Sequence, residues 1–324
     1  MDTSQQQFEQ ASTTAKQMRS QIGNAVVGQI EAIDQILAAL IAGGHVLIEG
    51  VPGLGKTLLV RALAQTFGGK FARIQFTPDL MPADVTGHTL YDQNSGQFTT
   101  RRGPVFTNLL LADEINRAPA KTQAALLEVM QEGQVTIEGA SHQLEPPFMV
   151  LATQNPIEQE GTYALPEAQL DRFLMKVLID YPDQEDEMRM VAKITSTQIG
   201  EKLNVSEVNS IVQPDNILAL QSVAAAIRVD DAVFDYAVHI VRATRTWNGV
   251  SAGAGPRGGI ALVRSARSMA LMQGRSFVTP DDIKSMALPS LRHRIALAPE
   301  LEIEGQSTDQ VLVRLLEEVE APRD

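Results

Sequence analysis

Apolar runs and amphipathic stretches take turns along the first half of the chain. Short runs of apolar residues predict five strands, at 45–49, 71–76, 109–113, 148–153 and 174–179. Apolar residues spaced three and four positions apart predict helices between them, at 30–41, 56–67 and 121–131. Because continuous apolar strands separated by helices are typical of a parallel sheet covered on both faces, the pattern predicts an α/β domain.

Two segments break this alternation with pairs of short, more polar strands. One spans 89–100 around a turn at 92–96, and the other spans 134–144 around a turn at 138–141. Two short strands around a glycine-containing turn are typical of a β-hairpin. The α/β domain is therefore predicted to carry two inserted hairpins.

The pattern changes on both sides of the α/β region. Residues 4–22 have a thin apolar stripe on an otherwise polar helix, which we expect to pack on the surface of the main domain. After Tyr181 no long strand is evident, and the remaining periodic stretches predict helices. These helices lie at 185–196, 215–227, 231–247, 256–273, from 279 onwards and at 307–319. The predicted segments are an N-terminal helix over 1–24, an α/β core over 25–182 and an all-helical domain over 183–324.

Composition narrows the classes of function. The chain has 324 residues, 44% of them hydrophobic, and a formal net charge of −12, which argues against a general surface for duplex DNA. It has no cysteine, which excludes disulfide bonds and thiolate chemistry, and its five histidines are far apart in sequence. No apolar run approaches the ~18 residues that a bilayer span needs, and the first residues do not form a secretory signal. We expect a cytoplasmic protein that binds proteins or small molecules, with no insertion into a membrane.

A glycine-rich turn stands between the first predicted strand and the helix that follows it. It reads Gly50-Val51-Pro52-Gly53-Leu54-Gly55-Lys56-Thr57 and fits the G-x-x-x-x-G-K-[ST] phosphate loop in every fixed place. Glycines let backbone N–H groups surround phosphate oxygens, and the helix N-terminus adds partial positive charge. We expect Lys56 to bind the β- and γ-phosphates and Thr57 to bind Mg²⁺, with the nucleotide-binding segment extending to Leu58. A plain glycine-rich turn is the alternative.

Polar side chains also follow the third and fourth predicted strands. Asp113 and Glu114 end the apolar run 109–112, and Asn155 comes directly after strand four. An acid beside a phosphate loop can hold the water shell of Mg²⁺ opposite Thr57, and a second acid can deprotonate the attacking water. Since ligands gather at the carboxyl ends of parallel strands, we assign Asp113 to the metal, Glu114 to the base and Asn155 to the γ-phosphate or the water. A solvated acidic pair and an Asn-Pro turn are the alternatives.

Further segments follow the phosphate loop in a fixed order. They read Asp113-Glu114-Ile115-Asn116-Arg117-Ala118-Pro119, Thr153-Gln154-Asn155-Pro156, Ala164-Leu165-Pro166-Glu167-Ala168-Gln169-Leu170-Asp171-Arg172-Phe173 and Gly255-Pro256-Arg257. The order of these segments resembles that of the AAA+ ATPases, and their residues are similar to the motifs of the MoxR family in particular. The resemblance covers nearly the whole chain. It implies a P-loop AAA+ parallel-sheet domain with a C-terminal all-helical lid, and the two predicted hairpins fall where this clade carries an insertion in helix 2 and a hairpin before sensor 1.

The resemblance also implies roles for individual residues. Asn155 matches the sensor 1 residue, and Arg172 matches the arginine finger that reaches the γ-phosphate of a neighbouring subunit. Arg257 matches the sensor 2 arginine of the lid and is expected to complete the site around Lys56. The pair Val27-Gly28 is expected to border the adenine.

Other interpretations of the arginines remain open. Arg172 could instead pair within its own subunit with Asp171 or Glu167. Arg257 could be a plain helix-start residue, and Arg117 could be a second residue that acts across the subunit interface.

The function that the resemblance implies is ATP hydrolysis with Mg²⁺ in a homo-oligomeric ring, expected to be a hexamer. Such rings remodel or activate partner proteins that carry von Willebrand factor A domains, often by aiding metal or cofactor insertion. Three alternatives stay open: a magnesium-chelatase-type motor subunit, a nucleic-acid translocase similar to the MCM helicases, and a nucleotide-gated binding module that barely hydrolyses ATP. The acidic net charge and the nearly neutral hairpin tip at 138–142 argue against the translocase.

Overall fold

The computed structural model of the chain describes residues 3–51, 53–93, 96–155, 161–197 and 205–322. In the N-terminal half the helices are α1 (Thr3–Ala25), α2 (Ile30–Ile41), α3 (Lys56–Thr66), α4 (Pro82–Thr86), α5 (Ala120–Glu132) and α6 (Glu167–Leu170). The strands of this half are β1 (Val46–Glu49), β2 (Phe71–Gln75), β3 (Gly87–Asp92), β4 (Gln97–Arg102), β5 (Leu109–Asp113), β6 (Gln134–Ile137), β7 (Ala140–Gln143), β8 (Met149–Gln154) and β9 (Met175–Leu178). The C-terminal half contains α7 (Gln184–Thr197), α8 (Pro214–Ala225), α9 (Asp231–Thr244), β10 (Val250–Ala252), α10 (Pro256–Gln273), α11 (Pro280–Leu291), β11 (Ala296–Leu297), α12 (Pro299–Ile303) and α13 (Thr308–Glu318).

Five parallel strands form the central sheet, in the order β2-β5-β8-β1-β9. Alternate residues of β5 belong to two hydrophobic clusters: Leu109 and Leu111 to one, Leu110 and Ala112 to the other. Because successive side chains of a strand point to opposite faces, the sheet is covered on both sides. The predicted α/β fold is thereby confirmed, and the carboxyl ends of β1, β5 and β8 lie at one edge of the sheet.

Both predicted hairpins are present. β3 pairs antiparallel with β4, and β6 pairs antiparallel with β7. The turn between β6 and β7 is shorter than predicted, because Glu138 and Gly139 both have positive φ, 48° and 80°, and close it with two residues.

The C-terminal half is the predicted helical domain with one addition. β10 and β11 form a small antiparallel ribbon, in which Ser251 Oγ donates to the Leu297 carbonyl oxygen at 2.9 Å. Strands of three and two residues are too short to leave a periodic signal in the sequence. Within the described residues, no helix is both long and apolar enough to span a lipid bilayer.

The N-terminal helix packs through its predicted stripe. Ala11, Ala15, Met18 and Ile22 of α1 are buried, and α1 contacts α3 of the core as well as α10 of the C-terminal half. One hydrophobic cluster joins α1, the sheet and the C-terminal helices. The division into segments 1–24, 25–182 and 183–324 therefore stays a prediction.

His45, directly before β1, ties the sheet to α5. Its Nδ1 accepts a hydrogen bond from the Val150 N–H at 3.0 Å, and its Nε2 lies 3.0 Å from the Met130 carbonyl oxygen. A ring that accepts at Nδ1 and donates at Nε2 is neutral. Burial lowers the pKa of His45 to about 4.

We expect His45 to make the fold less stable in acid. Its folded-state pKa lies below the ~6.5 of an unfolded histidine, so the unfolded chain binds the extra proton and stability falls as the pH drops from about 6.5 towards about 4. Between about pH 7.5 and about pH 5 this residue should contribute a loss of about 2 kcal/mol in the free energy of unfolding. The variant His45→Asn keeps an acceptor for the Val150 N–H and should lose this part of the pH dependence. Denaturant unfolding of both proteins at the two pH values measures the difference, and identical pH dependence would contradict the expectation.

Candidate functional site

The glycine-rich loop between β1 and α3 has a backbone shape that glycine adopts without strain. Gly53 and Gly55 have φ values of 88° and 76°. α3 begins at Lys56, so its first N–H groups, which have no partner within the helix, face the loop. Lys56 Nζ donates to the Gly50 carbonyl oxygen at 2.6 Å. Pro52, which the sequence analysis includes in the loop, lies outside the described residues.

Lys56 is half-buried and faces acidic side chains. Burial lowers the pKa of its ammonium, whereas Asp113, Glu114 and Glu49 raise it. Charges interact more strongly where water is partly excluded. A phosphate next to Lys56 would therefore be attracted more strongly than a phosphate next to an exposed lysine.

The two candidate acids are joined through one hydroxyl group. Thr153 Oγ1, on β8, donates to Asp113 Oδ1 at 2.6 Å and accepts a hydrogen bond from the Glu114 N–H at 2.9 Å. Glu114 has φ 55° and ψ 51°, a left-handed conformation that is uncommon for residues other than glycine. The Asp113 and Glu114 side chains are only 15% and 22% exposed. Both carboxylates are thus held in fixed positions and partly withdrawn from water.

Three more side chains contact these acids. Arg73 Nη2 donates to Asp113 Oδ2 at 2.5 Å, and Gln75 Nε2 donates to Glu114 Oε2 at 2.7 Å. Arg117 Nη1 donates to Glu114 Oε2 at 3.1 Å within the same subunit. Arg117 was predicted only as a residue that could act across an interface, and Arg73 and Gln75 were not predicted as site residues.

A signal for Arg73 and Gln75 exists in the sequence. The two polar residues alternate with apolar ones along β2, which predicts that they share one face of the strand. Their partners follow only from the order of the sheet, in which β2 lies beside β5 with Gln75 opposite Asp113.

One cavity of about 340 Å³ brings most of the predicted site residues together. It is lined by Gly53, Gly55, Lys56, Thr57, Leu58, Arg73, Gln75, Asp113, Glu114 and Asn155. The Asn155 side chain comes from the end of β8 and is buried, with 6% of the residue exposed. The phosphate loop, the acidic pair and Asn155 therefore meet in one place, at the carboxyl ends of β1, β5 and β8.

Four other predicted residues are not among those that line this cavity. These residues are Val27, Gly28, Gly50 and Leu54, and of these the Gly50 carbonyl oxygen contacts Lys56 Nζ. Gly28 has a φ of 75°, and a Cβ there would approach Pro182 and Asp186 within 2.9 Å. Gly28 of the predicted adenine-side pair thus packs closely against the start of α7.

Arg172 and Arg257 line a second cavity, of about 320 Å³. Among the described residues it shares no lining residue with the cavity of Lys56. Arg257 Nε lies 3.8 Å from Asp171 Oδ2, and Arg172 Nη1 donates to the Leu127 carbonyl oxygen at 2.8 Å. The structure therefore does not bring Arg257 to Lys56, where it is expected, because α10 begins beside Asp171.

Asp171 is engaged by the C-terminal half of the chain. Arg294 Nε donates to Asp171 Oδ1 at 2.7 Å, and Arg257 approaches Oδ2 of the same carboxylate. The alternative in which Asp171 pairs with Arg172 does not match these contacts, since the carboxylate faces Arg294 and Arg257.

The donor set of the first cavity fits Mg²⁺. Thr57 and Asp113 both line it and supply hydroxyl and carboxylate oxygens, the ligand type that Mg²⁺ prefers. In the part of the chain that the structure describes, no three His, Asp or Glu side chains group as a metal site. A Mg²⁺ ion at Thr57 and Asp113 would therefore take its other ligands from nucleotide phosphates and water.

The parallel sheet, the phosphate loop, the acids at a strand end and the C-terminal helices define a P-loop nucleotide-binding protein with a lid. Residues 45–175 match the sequence profile of the ATPase family associated with various cellular activities (AAA), and residues 242–315 match the AAA lid domain.

Comparisons with individual proteins narrow the class. The chain is 43% identical to Chaperone MoxR1 of Mycobacterium tuberculosis, over 94% of this chain and 81% of that protein. It is 45% identical to the uncharacterized protein YeaC of Bacillus subtilis, over 93% and 92% of the two chains. A solved structure of a candidate ATPase from Cytophaga hutchinsonii superposes with a TM-score of 0.90 at 42% identity, covering 98% of each chain. The chain belongs to the MoxR family of AAA+ ATPases, which confirms the resemblance seen in the sequence.

Proposed function

We propose that this chain hydrolyses ATP in the cavity of Lys56, as one subunit of a ring that remodels partner proteins. The observation that carries the proposal is the meeting of Lys56, Thr57, Asp113, Glu114 and Asn155 in one cavity at the ends of three neighbouring strands. Three of the five groups are charged: Lys56 is positive, and Asp113 and Glu114 are negative. A positive group suits the phosphate chain and negative groups suit the cation that binds with it.

Each residue has a distinct task in this proposal. Lys56 and the loop N–H groups bind the β- and γ-phosphates, and Asn155 orients the γ-phosphate or the attacking water. Glu114 takes the proton from that water. Thr57 and Asp113 would hold Mg²⁺, which supplies positive charge to the phosphate oxygens when it is bound.

Two hydrogen bonds converge on one carboxylate oxygen of Glu114. Gln75 and Arg117 both donate to its Oε2. For this oxygen to accept the proton of a water molecule, both hydrogen bonds must break or rearrange. A proton accepted by the other oxygen, Oε1, leaves both hydrogen bonds in place.

Arg172 and Arg257 are assigned to the active site of the neighbouring subunit. The two arginines lie together in a cavity separate from that of Lys56. A guanidinium that enters a phosphoryl-transfer site from a neighbour stabilises the transition state by about 10³–10⁵ in rate. A ring, proposed to be a hexamer on family grounds, brings the two cavities of adjacent subunits together in a head-to-tail interface.

Mixing two inactive variants tests this arrangement. Glu114→Gln should lose about 10²–10⁴ in turnover, and Arg172→Ala should lose about 10³ or more, while both still bind ATP. In mixed rings some sites retain Glu114 and receive Arg172 from a neighbour, so phosphate release should recover to roughly a quarter of the wild-type rate at equal mixing.

The controls separate catalysis from binding. Lys56→Ala should fail to bind a fluorescent ATP analogue, whereas the other two variants bind it normally. Equal rates in all proteins would contradict the roles given to Glu114 and Arg172, and a wild-type rate that is itself negligible would mean that the chain is a nucleotide-gated binding module. Two inactive variants that stay inactive on mixing would show that Arg172 acts within its own subunit.

The partner is proposed to be a protein with a von Willebrand factor A domain. This ATPase would remodel that protein and thereby aid the insertion of its metal or cofactor. Family membership supports this proposal, and the relative named Chaperone MoxR1 is consistent with it. The location in the cytoplasm stays a prediction from the sequence. A magnesium-chelatase-type motor subunit is the alternative within the same clade.

Trapping the ATP-bound ring should reveal the partner. Immobilised Glu114→Gln protein with ATP should retain a von Willebrand factor A domain protein from the native host, and Lys56→Ala protein should not retain it. Retention of a chelatase subunit in place of such a protein would favour the alternative, and equal retention by both variants would contradict an ATP-dependent partner.

The nucleic-acid alternative is tested by the ATPase rate with and without single-stranded DNA. The tip of the β6–β7 hairpin consists of Glu138 and Gly139 and offers no cation to a phosphate backbone. We therefore expect the rate of phosphate release to stay unchanged on adding DNA at low salt. Stimulation that disappears as the salt concentration rises would overturn the protein-remodelling proposal.

A further inference from the structure

The lid contacts the core at the residues around Arg172. Arg294, shortly after α11, has a side chain that is only 3% exposed. Its guanidinium donates to Asp171 Oδ1 from Nε at 2.7 Å, to the Phe173 carbonyl oxygen from Nη2 at 2.6 Å and to the Leu174 carbonyl oxygen from Nη1 at 3.2 Å. Arg294 thus binds oxygen atoms on both sides of Arg172 in the sequence.

The two residues before Arg294 extend this contact. Arg292 Nη1 donates to the Lys176 carbonyl oxygen at 3.3 Å, and His293 Nε2 lies 3.1 Å from the Phe173 carbonyl oxygen. Polar groups of three successive lid residues therefore meet the backbone that leads from Arg172 into β9.

Burying the Arg294 guanidinium costs free energy. Taking it out of water is unfavourable unless it is paired, and an apolar side chain of similar volume often packs at least as stably. Burial lowers the pKa of Arg294, while the Asp171 carboxylate raises it. What the guanidinium adds is geometry, because its planar fork fixes several acceptors at once.

The carboxylate of Asp171 connects this contact to the second arginine. Arg294 binds its Oδ1, and Arg257 of α10 approaches its Oδ2 at 3.8 Å. One carboxylate next to Arg172 is therefore shared by two lid arginines.

We propose that Arg294 is a positioning residue, which holds Arg172 and Arg257 in place for the neighbouring subunit through Asp171 and the carbonyl groups of Phe173 and Leu174. This inference rests on the proposed role of Arg172 across the interface. Movement of the lid changes the position of the arginine finger through Arg294.

Arg294→Lys tests the inference because it keeps the charge and removes the planar fork. Turnover should fall about tenfold to a hundredfold, as expected when a catalytic group shifts by about 1 Å. The Lys56 cavity is untouched, so affinity for the fluorescent ATP analogue should stay unchanged. Asp171→Asn weakens the same contact from the core side and should likewise lower turnover without changing affinity for the ATP analogue. It serves as the test if Arg294→Lys does not fold.

Arg275→Lys is the matched control. Arg275 is a lid arginine that pairs with Asp282 at 2.6 Å and has no described contact with the residues around Arg172. Its substitution should alter thermal stability in the same way as Arg294→Lys and leave turnover unchanged. Equal loss of turnover in both variants would overturn the inference, because the effect would then come from general weakening of the lid.

Mixed rings locate the defect. Arg294→Lys subunits keep an intact Lys56 cavity, so mixing them with Glu114→Gln subunits should restore activity, whereas mixing them with Arg172→Ala subunits should not. If activity returns in both mixtures that contain Arg294→Lys, or in neither of them, the inference is overturned. The proposed function still stands in that case, provided that the mixture of Glu114→Gln with Arg172→Ala recovers activity. If that last mixture fails as well, the role of Arg172 across the interface is wrong and the inference falls with it.

Discussion

The parallel pairing of β5 with β8 is the constraint on which the candidate site depends. It places Thr153 at the end of β8 beside Asp113 at the end of β5, where one hydroxyl group contacts both Asp113 and the Glu114 N–H. A shift of one residue in this register would turn the strand-end side chains to the opposite face of the sheet. The hydrogen bond from the Glu114 N–H to the Thr153 hydroxyl joins two neutral groups and contributes about 0.5–1.5 kcal/mol, which offsets part of the about 1–3 kcal/mol that a left-handed conformation costs. The positions of the acids are therefore a property of the sheet, and the loop of Lys56 meets them because β1 lies on the other side of β8.

Residues of the site that follow from local patterns could be predicted from the sequence. Asp113 and Asn155 stand at the end of an apolar strand, and Lys56 stands at the end of the glycine-rich loop that follows another. Parallel strands bring such positions to one edge of the sheet. Arg73 and Gln75 could not be assigned in this way, because the order of strands decides that β2 lies next to β5. The small ribbon of β10 and β11 was not predicted for a different reason, since strands of three and two residues are too short to show an alternating pattern.

The docking of the lid was the part that sequence reasoning could not supply. Arg257 follows a glycine-rich loop, and the sequence does not say which end of the core that loop faces. Arg294 is 123 residues away from Asp171 along the chain, and their contact exists only because α11 packs against β9. Long-range contacts between a helical domain and a sheet depend on the fit of whole surfaces, which no spacing of residues within one element encodes.

The separation of the two cavities has a consequence for control. On the proposed assignment, the cavity of Lys56 binds the nucleotide of its own subunit, while Arg172 and Arg257 serve the next one. Both arginines lie where α10 and the end of α11 meet the core, and these two helices pack against each other. A nucleotide that shifts the lid relative to the sheet would therefore move Asp171 and its neighbours, and with them the arginines offered to the adjacent subunit. Such coupling is an equilibrium between two positions of the lid, and the nucleotide bound to a subunit shifts that equilibrium. The nucleotide in one site therefore decides whether the neighbouring site receives its arginines.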